Sequence, residues 1–317
     1  MAREKSGAKE ADLAKAAKAV GGVRSPGGSV RAARSAAAGG VAPAAAPAAA
    51  PAIDPGAPCV LTVDVGNSAT NFGLARGREL VATWSVTTPE RLTSDEALMC
   101  VASYLRVRMP AAELADAIMS SVVPSLSGVW AEALHALTGK RPYVVGPGLK
   151  TGLELHMSSP GDLGADRVAD CAAAKELYGF PLVVVDFGTA TNLEVIDRAG
   201  VVQGGIIAPG LRLAARAVAE AAAQLPVIDL RAPKRVIGKN TRDAMQAGIV
   251  IGEVARIDGL IDAIWAELGY KTKVVATGED APAMVALSSR MEIPDEHLTL
   301  KGLALLYELN RAGRAKR

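Results

Sequence analysis
Residues 182–192, LVVVDFGTATN, limit the fold more than any other stretch of this chain. The branched run Leu182, Val183, Val184 and Val185 reads as a strand buried on both faces. It ends at Asp186 and Gly188, with the hydroxyls of Thr189 and Thr191 beside them, and the apolar pattern resumes through Leu193, Val195 and Ile196. The segment is therefore a strand-turn-strand unit. A carboxylate at a strand end, a glycine that admits close backbone approach and neighbouring hydroxyls suit phosphate and cations. One Asp-x-Gly turn is also what an ordinary hairpin looks like. Here it occurs twice: Val60 to Val63 lead into Asp64, Gly66, Asn67, Ser68 and Thr70, then Phe72, Gly73 and Leu74. Two copies, each opening half of the chain, imply a duplicated fold with a nucleotide between the halves.

The first 57 residues are different material, ending in VAPAAAPAAAPAIDPGA. With few large apolar side chains, such a segment offsets little of its ordering entropy and reads as a disordered Ala/Pro-rich extension. It carries eight Lys and Arg against four Asp and Glu, whereas the whole chain is only +2, so the body is slightly acidic. The basic character lies in the extension, and neither nucleic acid nor a membrane is expected as a partner. Deleting residues 1–55 is expected to leave turnover and melting temperature unchanged; a large drop in melting temperature would refute this. No apolar run reaches the roughly 18 residues of a membrane span. Cys59, Cys100 and Cys171 are far apart and in apolar contexts, as expected of reduced thiols in a cytoplasmic protein. His135, His156 and His297 stand alone and read as structural.

Between the two turns and beyond them, strand and helix patterns alternate, which means an α/β architecture. Helices are expected over 94–108, 127–138 (with Ser127 as N-cap), 166–178, 211–225 and 298–309, and strands over 117–123, 142–145 and 273–277. GGIIAPG, 204–210, reads as a glycine-bounded turn, and 238–252 as a turn and helix.

No Walker A pattern is present, because Gly238-Lys239 is followed by Asn240, and no strand leads into Gly-x-Gly-x-x-Gly. If ATP is handled, the two Asp-x-Gly turns must do it. A third feature, PGDLGADRVAD at 160–170, sets Asp166 beside Arg167 after Gly164 and Ala165. In phosphoryl transfer a carboxylate accepts the proton of the attacking hydroxyl, and an arginine suits an acidic substrate. The same residues also suit a plain helix start, where an acid in the first turn complements the dipole.

DVGNSATNFGL, SSVVP, GADR, DFGTAT, GGIIAPG, IGKNTRDAMQAGIVIG and LTLKGL, in this order, closely resemble type III pantothenate kinases over residues 60–310. The resemblance implies an actin-like (ASKHA) fold of two RNase H-like lobes with the nucleotide between them, divided here as 58–178 and 179–317. It also implies ATP-dependent phosphorylation of pantothenate to 4′-phosphopantothenate, the first committed step toward coenzyme A. The enzyme would be a homodimer needing K+ or NH4+, with Mg2+ accompanying ATP. Carried onto this chain, Asp64, Val65, Gly66, Asn67, Ser68, Ala69, Thr70 and Asn71 form the first phosphate loop, and Thr189 contacts ATP. Gly164, Ala165, Asp166 and Arg167 hold pantothenate, with Asp166 as proton acceptor; Thr241 also contacts pantothenate, and Asp186 coordinates the monovalent cation. The chain departs from the family in Met157 where a tyrosine is usual, and in Ser68-Ala69 where Thr-Asn is commoner. Asn192 replaces a third threonine, and Gly278-Glu279 replaces a Gly-Gly near the adenosine. A nucleotide-binding regulator of the same fold, or a related small-molecule kinase, is the competing reading.

Overall fold
The computed structural model describes residues 58–222 and 225–314; the extension expected over 1–57 lies outside them. In chain order, β1 (Cys59–Val65), β2 (Ala69–Arg76) and β3 (Glu79–Thr87) lead to α1 (Ser94–Arg108), β4 (Leu114–Ser121), α2 (Pro124–Thr138), β5 (Tyr143–Val144) and β6 (Glu154–Leu155). A short 3-10 turn precedes α3 (Ala165–Tyr178), then β7 (Leu182–Phe187), β8 (Ala190–Ile196), β9 (Val201–Pro209), α4 (Leu211–Ala221) and α5 (Thr241–Gln246). A π-helical segment, Ala247–Ile251, runs into α6 (Gly252–Leu268), followed by β10 (Lys273–Thr277), α7 (Ala281–Leu287), β11 (Ile293–Pro294) and α8 (Leu298–Arg314).

The first sheet has the order β3-β2-β1-β4-β5 and the second β11-β10-β7-β8-β9-β6. In each, an antiparallel three-strand meander is extended by two parallel strands: β1 pairs antiparallel with β2 and parallel with β4, and β7 likewise with β8 and β10. The two sheets thus repeat one topology, that of an RNase H-like lobe, and together they form the actin-like architecture. The central strands take their all-apolar sequences from this position. Leu61 and Val63 of β1 pack on α1 and α2 around Trp130, while Val60 faces α8. In β7, Val183 and Val185 pack on α6, and Leu182 and Val184 on α3.

Helix α3 lies between the two sheets, which explains its small residues. Ala169 and Ala172 join the cluster of Val60, Ile118, Leu303 and Leu306. Cys171, Ala173 and Ala174 join that of Leu182, Val184 and Ile196. A helix hemmed in on both sides has no room for branched side chains. At its crossing with α8, Gly302 lies directly against the backbone of Ala169, so a Cβ there would collide.

Three local expectations change. Ser127 is not an N-cap: α2 starts earlier, at Pro124, whose fixed φ and missing N–H suit a first helical turn. Ser127 Oγ instead donates to Val123 O at 3.0 Å. Residues 204–210 are mostly strand rather than turn, with β9 pairing along β8 from Val202 to Pro209. The glycines there mark a bulge, with Gly204 at φ +126°, and close approach, with Gly205 against Leu193 O, instead of a chain reversal. The helix expected over 211–225 ends at Ala221. Among the described residues, no helix is long and apolar enough to cross a membrane.

Candidate active site
The two Asp-x-Gly turns share a plan, the second one residue shorter than the first. Gly66 N–H bonds Ala69 O at 3.0 Å, and Gly188 N–H bonds Ala190 O at 3.1 Å, closing each hairpin. In each, the aspartate stands opposite an asparagine on the next strand, Asp64 across from Asn71 and Asp186 across from Asn192. Both asparagines hydrogen-bond their aspartates. The asparagine at 192 therefore repeats in the second lobe the pair that Asn71 makes in the first. The turns also meet: Ser68 Oγ and Thr189 Oγ1 are 2.7 Å apart.

Asp64 is buried and accepts from Ser120 Oγ at 2.8 Å. Burial, together with the nearby Asp166 charge, nevertheless raises its pKa to about 6. Asp186 is half-buried, and its pKa is pushed well up by burial, then by the charges of Glu194, Asp166 and Asp64. Asp170, on α3, is wholly buried; Thr299 Oγ1 donates to its Oδ1 at 2.7 Å. Its Oδ2 has no protein partner, and burial followed by the Asp186 charge raises its pKa strongly. The N-termini and strand ends of both lobes thus gather Asp64, Asp166, Asp170, Asp186 and Glu194 within electrostatic reach.

Asp166 and Arg167 open α3, with Gly164 as its N-cap residue. A Cβ at 164 would run into the Asp166 carboxylate, which gives the glycine its purpose. Asp166 Oδ1 accepts the Arg167 N–H at 2.8 Å. Arg167 is buried and donates through Nε to Glu194 Oε1 at 2.5 Å. Glu194 is fully buried, and burial lifts its pKa to about 7 even though Arg167 pulls it down. With Nε committed to Glu194, the guanidinium keeps its two Nη groups as donors. One of them lies along Gly205, where a side chain would displace it.

The structure thus brings together Asp64, Asn71, Ser68, Thr189, Asp166, Arg167 and Asp186. Val65, Gly66, Asn67, Ala69 and Thr70 follow as the body of the first turn and the start of β2, and Gly164 and Ala165 as the start of α3. Thr241 is different: it is exposed at the start of α5, behind an Asn240 cap, and takes no part in the carboxylate network. Of the departures, Glu279 is a surface residue paired with Arg212 at 3.1 Å, and Met157 is half-buried. Asp170, Glu194 and Glu253 were not singled out from the sequence. A lone acid inside the apolar run Leu193-Glu194-Val195 was the available signal, since a charge buried in a strand needs a partner.

Arranged this way, the site offers two hydroxyl-bearing turns, a carboxylate beside a clamped guanidinium, and an excess of negative charge around Asp186. That suits binding a polyphosphate with its cations and taking a proton from an acceptor hydroxyl. The family model described as "Type III pantothenate kinase" matches residues 60–263. Curated type III pantothenate kinases include that of Geotalea daltonii, 39% identical over 253 residues, which are 80% of this chain and 99% of the relative. That of Listeria innocua is 40% identical over 253 residues, 80% of this chain and 98% of the relative. Among solved structures, the ethanolamine utilization protein EutJ from Carboxydothermus hydrogenoformans is similar at 16% identity and a TM-score of 0.49, over 80% of this chain and 92% of that one. The activator of the 2-hydroxyisocaproyl-CoA dehydratase from Clostridium difficile is similar at 11% identity and a TM-score of 0.47, over 81% and 97%. On the family match and the identities to its curated relatives, this chain belongs to the type III pantothenate kinases.

Proposed function
We propose that the chain transfers the terminal phosphoryl group of ATP to the hydroxyl of pantothenate, with Asp166 as proton acceptor and Arg167 as the anchor of the pantothenate carboxylate. The single observation that carries this reading is the gathering of both phosphate turns and the Asp166-Arg167 pair in one place. The turns at 64–71 and 186–192 flank the polyphosphate, with Thr189 a donor to it. Asp166 is close enough to Asp64 and Asp186 for their charges to be felt, so a hydroxyl beside it lies next to the phosphates. Gly164 and Ala165, at the start of α3 beside Asp166, would line the acceptor, and Thr241 would reach it from α5. The test is ADP release by purified protein with and without pantothenate; release that ignores pantothenate would overturn the acceptor.

Asp186 suits the monovalent cation, K+ or NH4+, and Mg2+ accompanies ATP. The fit rests on charge: burial, then the charges of Glu194, Asp166 and Asp64, pushes the Asp186 carboxyl well above its usual range, which a bound cation relieves. Among the described residues no three His, Cys, Asp or Glu side chains converge as a metal centre. Further ligands would therefore be carbonyl oxygens, water or the nucleotide. Asp186→Asn is expected to shift the potassium dependence of the rate toward higher concentration. A potassium titration identical to that of the unaltered enzyme would remove Asp186 from this role.

The working unit is proposed to be a homodimer, supported by exposed apolar residues such as Ile207, Leu213 and Val218 on β9 and α4. A cytoplasmic setting is supported by the free thiols of Cys59, Cys100 and Cys171.

A further inference from the structure
We propose that Glu253 and Arg256 of α6 are positioning residues for ATP, acting as a clamp that fixes the second phosphate turn. The inference rests on the assignment of Thr189 to ATP.

Successive side chains of β8 point to opposite faces. Asn192 and Glu194 face the carboxylates and α3; Thr191 faces α6. Thr191 is fully buried, and its hydroxyl donates to Glu253 Oε1 at 2.8 Å. Arg256 Nη2 donates to Glu253 Oε2. The same Nη2 donates to Pro209 O at 2.7 Å. Pro209 stands across from Ala190 in the ladder. The next residue, Gly210, donates its N–H to Thr189 O at 3.2 Å and has no room for a Cβ against the carbonyls of Gly188 and Thr189.

The path Thr191–Glu253–Arg256–Pro209–Gly210–Thr189 is therefore a closed ring of bonds around the turn. Strands β8 and β9, which meet beside Thr189, are tied to one helix through one ion pair whose carboxylate is buried. Glu253 lies two residues beyond the π-helical segment Ala247–Ile251. The extra residue per π turn re-aims the side chains after it, and such segments occur often at functional sites. A buried carboxylate gains little net stability from a partly exposed guanidinium, because desolvation of the carboxylate offsets the attraction. What the pair supplies is placement, and a misplacement of about 1 Å at a reacting group is costly to the rate.

A purely structural pair would affect melting temperature and treat both substrates alike. The clamp affects one. Thr191→Val removes the hydroxyl with little change of shape, and Glu253→Gln breaks the charge that holds Arg256. Each is expected to raise the Michaelis constant for ATP about tenfold, the effect of one lost charge-assisted hydrogen bond, with that for pantothenate within about twofold. Thr191→Ser, which keeps the hydroxyl, is expected to restore ATP use. The affinity of a non-hydrolysable ATP analogue, measured by calorimetry on the same folded proteins, is expected to fall by the same factor. That measurement needs no turnover, so it separates this inference from the choice of acceptor. An unchanged analogue affinity in Thr191→Val, or equal losses for ATP and pantothenate, would overturn the clamp.

Discussion

Asp166→Asn is expected to lower turnover by about 10²–10⁴-fold while leaving ATP affinity near that of the unaltered enzyme. The substitution isolates the proton-accepting role well. Asn keeps an Oδ1 to receive the Arg167 N–H, the bond that Asp166 makes at 2.8 Å. It also removes one negative charge from a site where Asp64, Asp186 and Glu194 all feel it. Their carboxyls should ionise more readily, so the folded mutant loses little stability and ATP meets less repulsion. If Asp166 only starts a helix, the change would cost about 1 kcal/mol or less and spare the rate. Single-turnover kinetics with a separate ATP-affinity measurement decide between the two. A near-normal rate would leave the proton acceptor unassigned. A loose transition state would put the loss at the low end of the range, since positioning then carries more of the catalysis.

Arg167→Met is expected to have two separable effects. Pantothenate affinity should collapse, because the anchor of its carboxylate is gone. Stability should also fall, by about 3–5 kcal/mol, because a fully buried Glu194 is left without its partner. Adding Glu194→Gln should recover most of the stability and none of the pantothenate affinity. The single mutant should also respond to pH in a defined direction. Glu194 already has a pKa raised to about 7 in the fold, with Arg167 pulling downward; without Arg167 it must rise. A carboxyl whose folded pKa exceeds its unfolded value binds more protons when folded, so stability is lost as pH rises through that window. Acidification from pH 8 to pH 6 should therefore raise the melting temperature of Arg167→Met relative to the unaltered enzyme. A mutant whose melting temperature stays at the unaltered value at pH 8 would show that Glu194 is solvated or paired elsewhere.

Much of this site was legible in the sequence because its parts are local. The turns at Asp64 and Asp186 announce themselves by a buried run that stops at an acid and a glycine. The pair Asp166-Arg167 sits in a motif, and β10 and α1 agree with their patterns residue for residue. The hidden parts depend on what another segment brings. Glu194 acquires its meaning only when α3 supplies Arg167, and Glu253 only when β8 supplies Thr191. Asp170 looked like one more polar residue on a helix, yet it is sealed between two sheets. The glycines at 204 and 205 misled for a related reason: the cause of their small size lies on β8 and α3, not in a reversal of their own chain.

Helix α8, at the far end of the chain, covers the sheet made first. Leu300, Leu303 and Leu306 close over Val60 and Ile118. During synthesis, then, β1 to β4 leave the ribosome long before the helix that completes their packing. The earliest lobe to appear is the latest to mature, and its apolar face must wait through the making of the whole second sheet. A premature stop shortly before residue 298 would therefore damage the opposite end of the sequence. Holding partners that cover exposed apolar surface have their longest task on the amino-terminal half, and any fusion that delays docking of the final helix prolongs that exposure.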